Sequence, residues 1–284
     1  MKTQNKLHHK LLPVALLVSL AAAASTLHGS IAILDTDFTY TQDFNSLPTA
    51  NTGTFVWTDN ETLPGWYRRA NVSNADQTLD PNLVDYSAQG SNVGPFGFYN
   101  ASTANNPDRA IGFRINGQPE GLKKGSMGMV LTNNTGTTLT GFNLGYTGEK
   151  WWQAVNDTTL VVQYAVVDSF AADINGDIDR AQADTWTGVE ALNWTVLGVE
   201  GTNSWANGRQ AVNSHVFDPV TVSGLSIADG QELVIRWRIA EAGAQRSGLF
   251  INDVSLTVIP EPGTVAVWVA LAMLGLVIYR RRRA

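Results

Sequence analysis

The chain has 284 residues, a formal net charge of −6, no cysteine and four histidines, of which only His215 lies beyond residue 28. Disulfides, thiolate metal sites and cysteine nucleophiles are therefore excluded, as are a multi-histidine metal site in the mature chain and any Ser-His-Asp triad that does not use His215. All 25 acidic residues fall between Asp35 and Glu261 while seven of the 19 basic ones sit at the two ends, so the middle carries 12 against 25, or −13, and nucleic acid ranks last among partners.

Lys2, Lys6 and Lys10 precede an apolar run from Leu11 to Ala24 that closes on Ala22-Ala23-Ala24. A basic n-region, an apolar core and small residues at a cleavage site, in that order, predict a secretory signal peptide over residues 1–30, cut after 24 to 30 and handled by the Sec machinery. The alternative is an uncleaved anchor, but about 14 apolar residues fall short of the ~20 a spanning helix needs.

From residue 31 to 258 the hydrophobic period is two. Phe142, Leu144 and Tyr146 alternate with Gly141, Asn143 and Gly145; Leu160, Val162, Tyr164 and Val166 alternate with Val161, Gln163 and Ala165; Leu233, Ile235, Trp237 and Ile239 alternate with Val234, Arg236 and Arg238. Each pattern predicts a strand with one buried face, which places Arg236 and Arg238 toward solvent. Further strands are expected at 55–58, 109–114, 126–132, 216–222 and 249–258, and Ser87 to Asn106 reads as a long loop. Asn133-Asn134-Thr135-Gly136 is a turn cluster of the kind that closes a hairpin. His215 stands at the start of a strand, not on a nucleophile elbow. With no amphipathic helix of useful length between the ends, the expected fold is all-β: one jelly-roll-like β-sandwich.

Trp151 and Trp152 are adjacent, so in a strand they face opposite ways and one of them is a candidate platform for a sugar ring. Core and edge packing is the preferred account of both. Asp173, Asn175, Asp177 and Asp179 put oxygens at alternate positions, with Asp184 where a twelve-residue calcium loop would close. Glycine stands fourth in that loop and Ile178 sixth, where the turn needs glycine, so an acidic inter-strand loop is preferred to a calcium site. No catalytic residue is assigned: carboxylates are abundant, but nothing in the sequence pairs them for glycoside hydrolysis. Six Asn-X-Ser/Thr sequons, at Asn60, Asn71, Asn100, Asn133, Asn156 and Asn193, are read as chance matches.

The segment 259–284 begins at Pro260-Glu261-Pro262, continues as an apolar stretch over 264–279 and ends on Arg280, Arg281, Arg282 and Arg283. Sixteen helical residues reach about 24 Å, a deficit that snorkelling arginines cover, and the positive-inside rule keeps the arginines cytoplasmic and the bulk of the chain outside. Two prolines around one residue remove two backbone donors and hold the strip extended, so that neither the last strand nor the membrane helix absorbs it. This order of features resembles the PEP-CTERM sorting domain. The resemblance implies recognition by exosortase, a membrane protease-transpeptidase-like enzyme, in bacteria that make extracellular polysaccharide, and removal of the span with its arginines. The phrases Asp43 to Pro48, Thr62 to Tyr67, Leu131 to Gly136, Tyr146 to Glu149 and Leu249 to Val254 are similar to a β-sandwich ectodomain recurring in such proteins, which implies no activity. The expected protein is a non-enzymatic component of the cell surface or extracellular matrix that passes through an inner-membrane-anchored precursor. A carbohydrate-binding module for extracellular polysaccharide is the alternative, and a carboxylate-based glycoside hydrolase ranks third.

Overall fold

A computed structural model describes residues 29–49, 54–71, 82–87, 97–103, 106–114, 124–173, 178, 186–239 and 245–261. Nearly all of the expected signal peptide, and everything from Pro262 onward, including the expected span 264–279 and Arg280 to Arg283, lies outside those residues. Among the described residues no helix is long and apolar enough to cross a membrane.

Two sheets form a β-sandwich. The first, sheet A, holds β1 (Ile31–Ile33), β4 (Trp66–Asn71), β8 (Lys124–Asn133), β10 (Thr158–Val167), β11 (Thr187–Gly188), β12 (Trp194–Val196) and β15 (Glu232–Ile239). Its order is β1-β8-β15-β10-β11, with β4 sharing the edge of β8 and β12 the edge of β10. Sheet B holds β2 (Thr39–Gln42), β3 (Thr54–Val56), β5 (Asn82–Ser87), β6 (Gly97–Ser102), β7 (Ala110–Arg114), β9 (Leu139–Gln153), β13 (Ser204–Trp205), β14 (Ser214–Ile227) and β16 (Gly248–Pro260). Its order is β13-β9-β16-β7-β6-β5-β3, with β14 also on β9 and β2 also on β16.

The period-two residues meet in one core between the sheets. Leu160, Val162, Leu233, Ile235, Trp237 and Ile239 come from sheet A, and Phe142, Leu144, Tyr146, Leu249, Ile251, Val254 and Leu256 from sheet B. At its centre Trp237 stacks on Trp66 at 5.9 Å and meets Tyr146 edge-on at 5.8 Å. Each such fully buried side chain contributes roughly 1.5–3 kcal/mol of apolar burial.

Four expectations are corrected. Asn133 to Gly136 is not a hairpin turn, because β8 lies in sheet A and β9 in sheet B. It is an arch between sheets, held by Asn133, whose buried amide donates to the carbonyls of Thr137 (2.7 Å) and Ile227 (2.8 Å), with Gly136 supplying φ of 73°. Residues 87–106 are not all loop, since β6 runs through them and buries Phe98 and Tyr99. Arg236 does not face solvent, being only 3% exposed, because the chain after β10 folds back over the outside of sheet A. There a one-turn helix α1 (Phe170–Asp173), Ile178 and Trp186 pack on Tyr67, Val130, Ala165, Val167 and Val234. Finally, β16 does absorb the start of the sorting strip. It runs to Pro260, two residues past the expected boundary, and the Glu261 N–H donates to the Thr138 carbonyl at 3.2 Å. A proline ends a ladder without loss where its missing donor has no partner to serve.

Candidate functional site

The residues with unusual chemistry gather on the outer face of sheet B, and the cause is a break in strand pairing along β16. β7 pairs with β16 at Leu249 to Ile251, and β2 takes up the same edge from Val254 to Thr257. Asn252 and Asp253 fall between the two. On the other side, toward β9, the register shifts between Asn252 and Ser255, and Asp253 adopts φ of 47°. Asn252 faces outward by alternation with Phe250, between two acids; the bulge after it inserts Asp253 and returns Val254 to the core.

The Asn252 amide donates to Asp108 Oδ1 (2.9 Å) and Glu149 Oε1 (3.3 Å), while Trp151 Nε1 donates to Glu149 Oε2 (2.7 Å). Arg209 reaches Asp108 Oδ2 at 2.9 Å from the rim. Glu149 is 5% exposed, and burial, reinforced by the charges of Asp108 and Asp253, pushes its carboxyl up to about 7 against the pull of its two hydrogen bonds. Asp253 is raised as well, first by burial and then by Asp108 and Asp43. Beside this cluster, Thr41, Gln42, Asp43, Asp253, Val254 and Ser255 line a groove of about 280 Å³. Behind it Asp43 accepts from the Asn45 backbone and side-chain N–H groups, and Asn45 in turn accepts from the Arg109 backbone.

Further along the face lies an aromatic slot lined by Tyr99, Arg114, Trp151, Trp152 and Phe250, too tight to admit water. Gly112 makes it possible, since a Cβ there would stand 2.5 Å from the Phe250 ring. Trp151 is 1% exposed, so it offers no ring face to a sugar. Trp152 is half-buried, its Nε1 donates to Asn203 (2.7 Å), and the Arg114 guanidinium lies 3.3 Å from its ring centroid. The two tryptophans thus share one packed corner.

Of the expected calcium ligands, Asn175, Asp177, Asp179 and Asp184 lie outside the described residues. Asp173 ends α1, where its carboxylate accepts from the Ser169 N–H at 2.9 Å. Ile178 is buried, and its carbonyl accepts from Arg236 Nη1 at 3.0 Å, which gives the residue at the sixth position a packing task. Among the described residues no group of three or more His, Cys, Asp or Glu is arranged to hold a metal ion. His215 is exposed on β14 with its ring edge-on to Phe217 at 4.4 Å. Asn100 and Asn133 are fully buried, which removes them as glycan acceptors in the folded chain.

No family model and no curated protein matches this chain. Solved structures align in part. The carbohydrate-binding module TmCBM61, in complex with β-1,4-galactotriose, is 11% identical over 56% of this chain and 74% of its own, with a TM-score of 0.23. Arabinose-bound MgGH51 α-L-arabinofuranosidase is 9% identical over 83% of this chain and 31% of its own, with a TM-score of 0.32. Arthrobacter globiformis T6 isomalto-dextranase with panose is 13% identical over 78% and 33%, with a TM-score of 0.29. This chain spans about a third of the length of the last two, and likenesses this slight carry no functional statement.

Proposed function

We propose that the chain is a non-catalytic exported protein, a jelly-roll-like sandwich hung at the cell surface from its C-terminal sorting signal. The observation that supports this reading most directly is the path of β16. It is a central strand of sheet B, it contributes Leu249, Ile251, Val254, Leu256 and Val258 to the core, and it ends exposed at Pro260. Only residues 261–263 separate it from the apolar stretch, roughly 10 Å of extended chain. The sandwich therefore stands directly on its anchor, with Glu261 to Gly263 as the strip an exosortase would engage. Replacing Pro260, Glu261 and Pro262 together by alanine should leave membrane insertion intact while the uncleaved form accumulates, read as the mass of the C-terminus in the native host. Wild-type protein that keeps Arg280 to Arg283 at steady state would reduce the signal to a plain anchor.

A second reading, binding of extracellular polysaccharide, is favoured by the polar groove at the break in sheet B, where hydroxyl, amide and carboxylate groups line an open recess. Co-sedimentation of the full-length protein with the host's own polysaccharide tests it. No pelleting above a control without polysaccharide removes this reading and leaves the first in place.

A further inference from the structure

We propose that the groove between the ends of β7 and β2 is a glycan subsite that takes a sugar unit bearing a protonated amine; this rests on the polysaccharide-binding reading and names the ligand class and the residues. At about 280 Å³ the groove lies just under the ~300 Å³ at which small-molecule pockets begin, a size that suits one sugar unit of a chain running past it.

Its lining fits a pyranose with one positive charge. Thr41 and Ser255 supply hydroxyls that donate or accept, while Gln42 turns its amide to the Phe44 N–H and the Tyr40 hydroxyl and Val254 is buried in the core. Asp43 and Asp253 supply acceptors. Among the described residues neither carboxylate pairs with a lysine or arginine: Asp43 is held by the neutral Asn45 amide and Asp253 by the neutral Thr147 hydroxyl. Arg209, the cation at the rim, is spent on Asp108. A neutral sugar would leave the Asp43 and Asp253 charges facing each other across the recess, whereas an ammonium between them relieves the repulsion and makes charge-assisted hydrogen bonds to both. A bare divalent cation is the poorer fit, because calcium asks six to eight oxygens at 2.3–2.6 Å, whereas the groove offers two carboxylates, and among the described residues no three or more His, Cys, Asp or Glu are grouped to hold a metal.

The test uses the full-length protein in detergent at low salt, titrated calorimetrically with fully deacetylated chitotriose, with its N-acetylated counterpart and with calcium chloride alone. The deacetylated trimer should bind at least about tenfold more tightly than the N-acetylated one, as expected for loss of a charge-assisted contact. Asp253→Asn should weaken that binding by a similar factor. Asparagine tolerates the left-handed backbone at 253, so this variant keeps its fold, checked by circular dichroism. Asp43→Asn, which preserves an acceptor for the Asn45 N–H, should do the same. Equal affinity for the two trimers, displacement of the trimer by calcium alone, or an unchanged Asp253→Asn variant would each overturn the proposal. Co-sedimentation with the host polysaccharide separates the two readings. If wild type and Asp253→Asn pellet alike, polysaccharide binding survives and the groove is not its site; if the deacetylated trimer binds but no polysaccharide pellets, the groove stands and the matrix ligand is a different one.

Discussion

Outside sheet A the buried charge is Arg236, and the chain folds back to close over it; outside sheet B Arg114 is covered at the aromatic end, but at the strand break the buried charge is the acid Glu149, and the face stays open beside it. Arg236 sends Nε and Nη2 to Gln163 Oε1 at 2.9 and 2.7 Å and Nη1 to the Ile178 carbonyl, with Trp186 stacked 3.7 Å from its guanidinium carbon. Its planar fork is met by partners fixed by packing, which is how a buried arginine is tolerated. Glu149, Asn252 and Asp108 share hydrogen bonds among themselves and have Arg209 at the rim. There burial and the neighbouring acids push the Glu149 carboxyl up to about 7, favouring the protonated form that needs no cation. A face completed by its own chain is a structural face. A face left with crowded acids and an adjoining recess is one that a ligand can complete.

The sharpest way to break this contrast is Arg236→Ala. It strands Gln163 Oε1 and the Ile178 carbonyl, removes the stack on Trp186 and opens a cavity under the cover formed by α1, Ile178 and Trp186, so it should cost about 3–4 kcal/mol in urea denaturation. Trp186→Ala, at a partly exposed position, should cost less. A change within about 0.5 kcal/mol for Arg236→Ala would mean that the cover is not held by this residue and that the two outer faces are alike.

The next effect is a pH dependence led by Glu149 of sheet B, to which Asp59, raised by burial beside β4, adds in the same direction. The Glu149 carboxyl is raised from 4.5 to about 7 in the folded chain. Between those values the folded chain holds a proton that the unfolded chain releases. Its contribution is therefore complete below about pH 4.5 and lost as pH rises through 7, a total of at most ~3 kcal/mol. Asp253, also raised, pushes the same way. Melting temperature measured from pH 5 to pH 8 should fall in the wild type and fall less in Glu149→Gln, which keeps an acceptor for Trp151 Nε1. Parallel slopes in the two proteins would show that Glu149 is ionised throughout and that the acids of sheet B need no proton.

Much of the sandwich is legible in the sequence because a half-buried strand declares its faces locally. Phe142, Leu144 and Tyr146, like Leu233, Ile235, Trp237 and Ile239, are in the core where their spacing puts them. The same rule fails at Arg236, since alternation reports which side of the sheet a residue is on and not whether that side is covered by a distant segment. It fails at Asn133 to Gly136 as well, because turn chemistry marks a reversal without saying which sheet receives the next strand. The groove was out of reach for a related reason: Asp43, Asp108 and Asp253 come together only because β2 and β7 dock end to end on one edge of β16. One trace was present. Asp43 to Pro48 and Leu249 to Val254, two of the phrases singled out in the sequence, each contribute a carboxylate to this groove. The tryptophan pair drew attention instead, since composition advertises aromatics and says nothing of a strand break.

The smallest effect concerns that pair. Trp152 is the member with any ring surface left, but one face is taken by Arg114 and its N–H is engaged by Asn203. If the aromatic corner is packing, Trp152→Ala should lower stability by about 1–2 kcal/mol, the sum of partial apolar burial and one cation–π contact, and leave co-sedimentation with polysaccharide unchanged. Trp151→Ala is the wrong probe, because it unseats Glu149 as well as the slot, and any loss of binding would follow from damage to the face. The Trp152 N–H bonds Asn203, whereas Trp151 holds Glu149, so loss of Trp152 separates stacking from structure. Pelleting that disappears in Trp152→Ala at an unchanged melting temperature would make the corner a sugar platform. The open part of sheet B would then extend from the groove along β16 to the aromatic end, and the acids would be one contact of several where they now stand as the principal one.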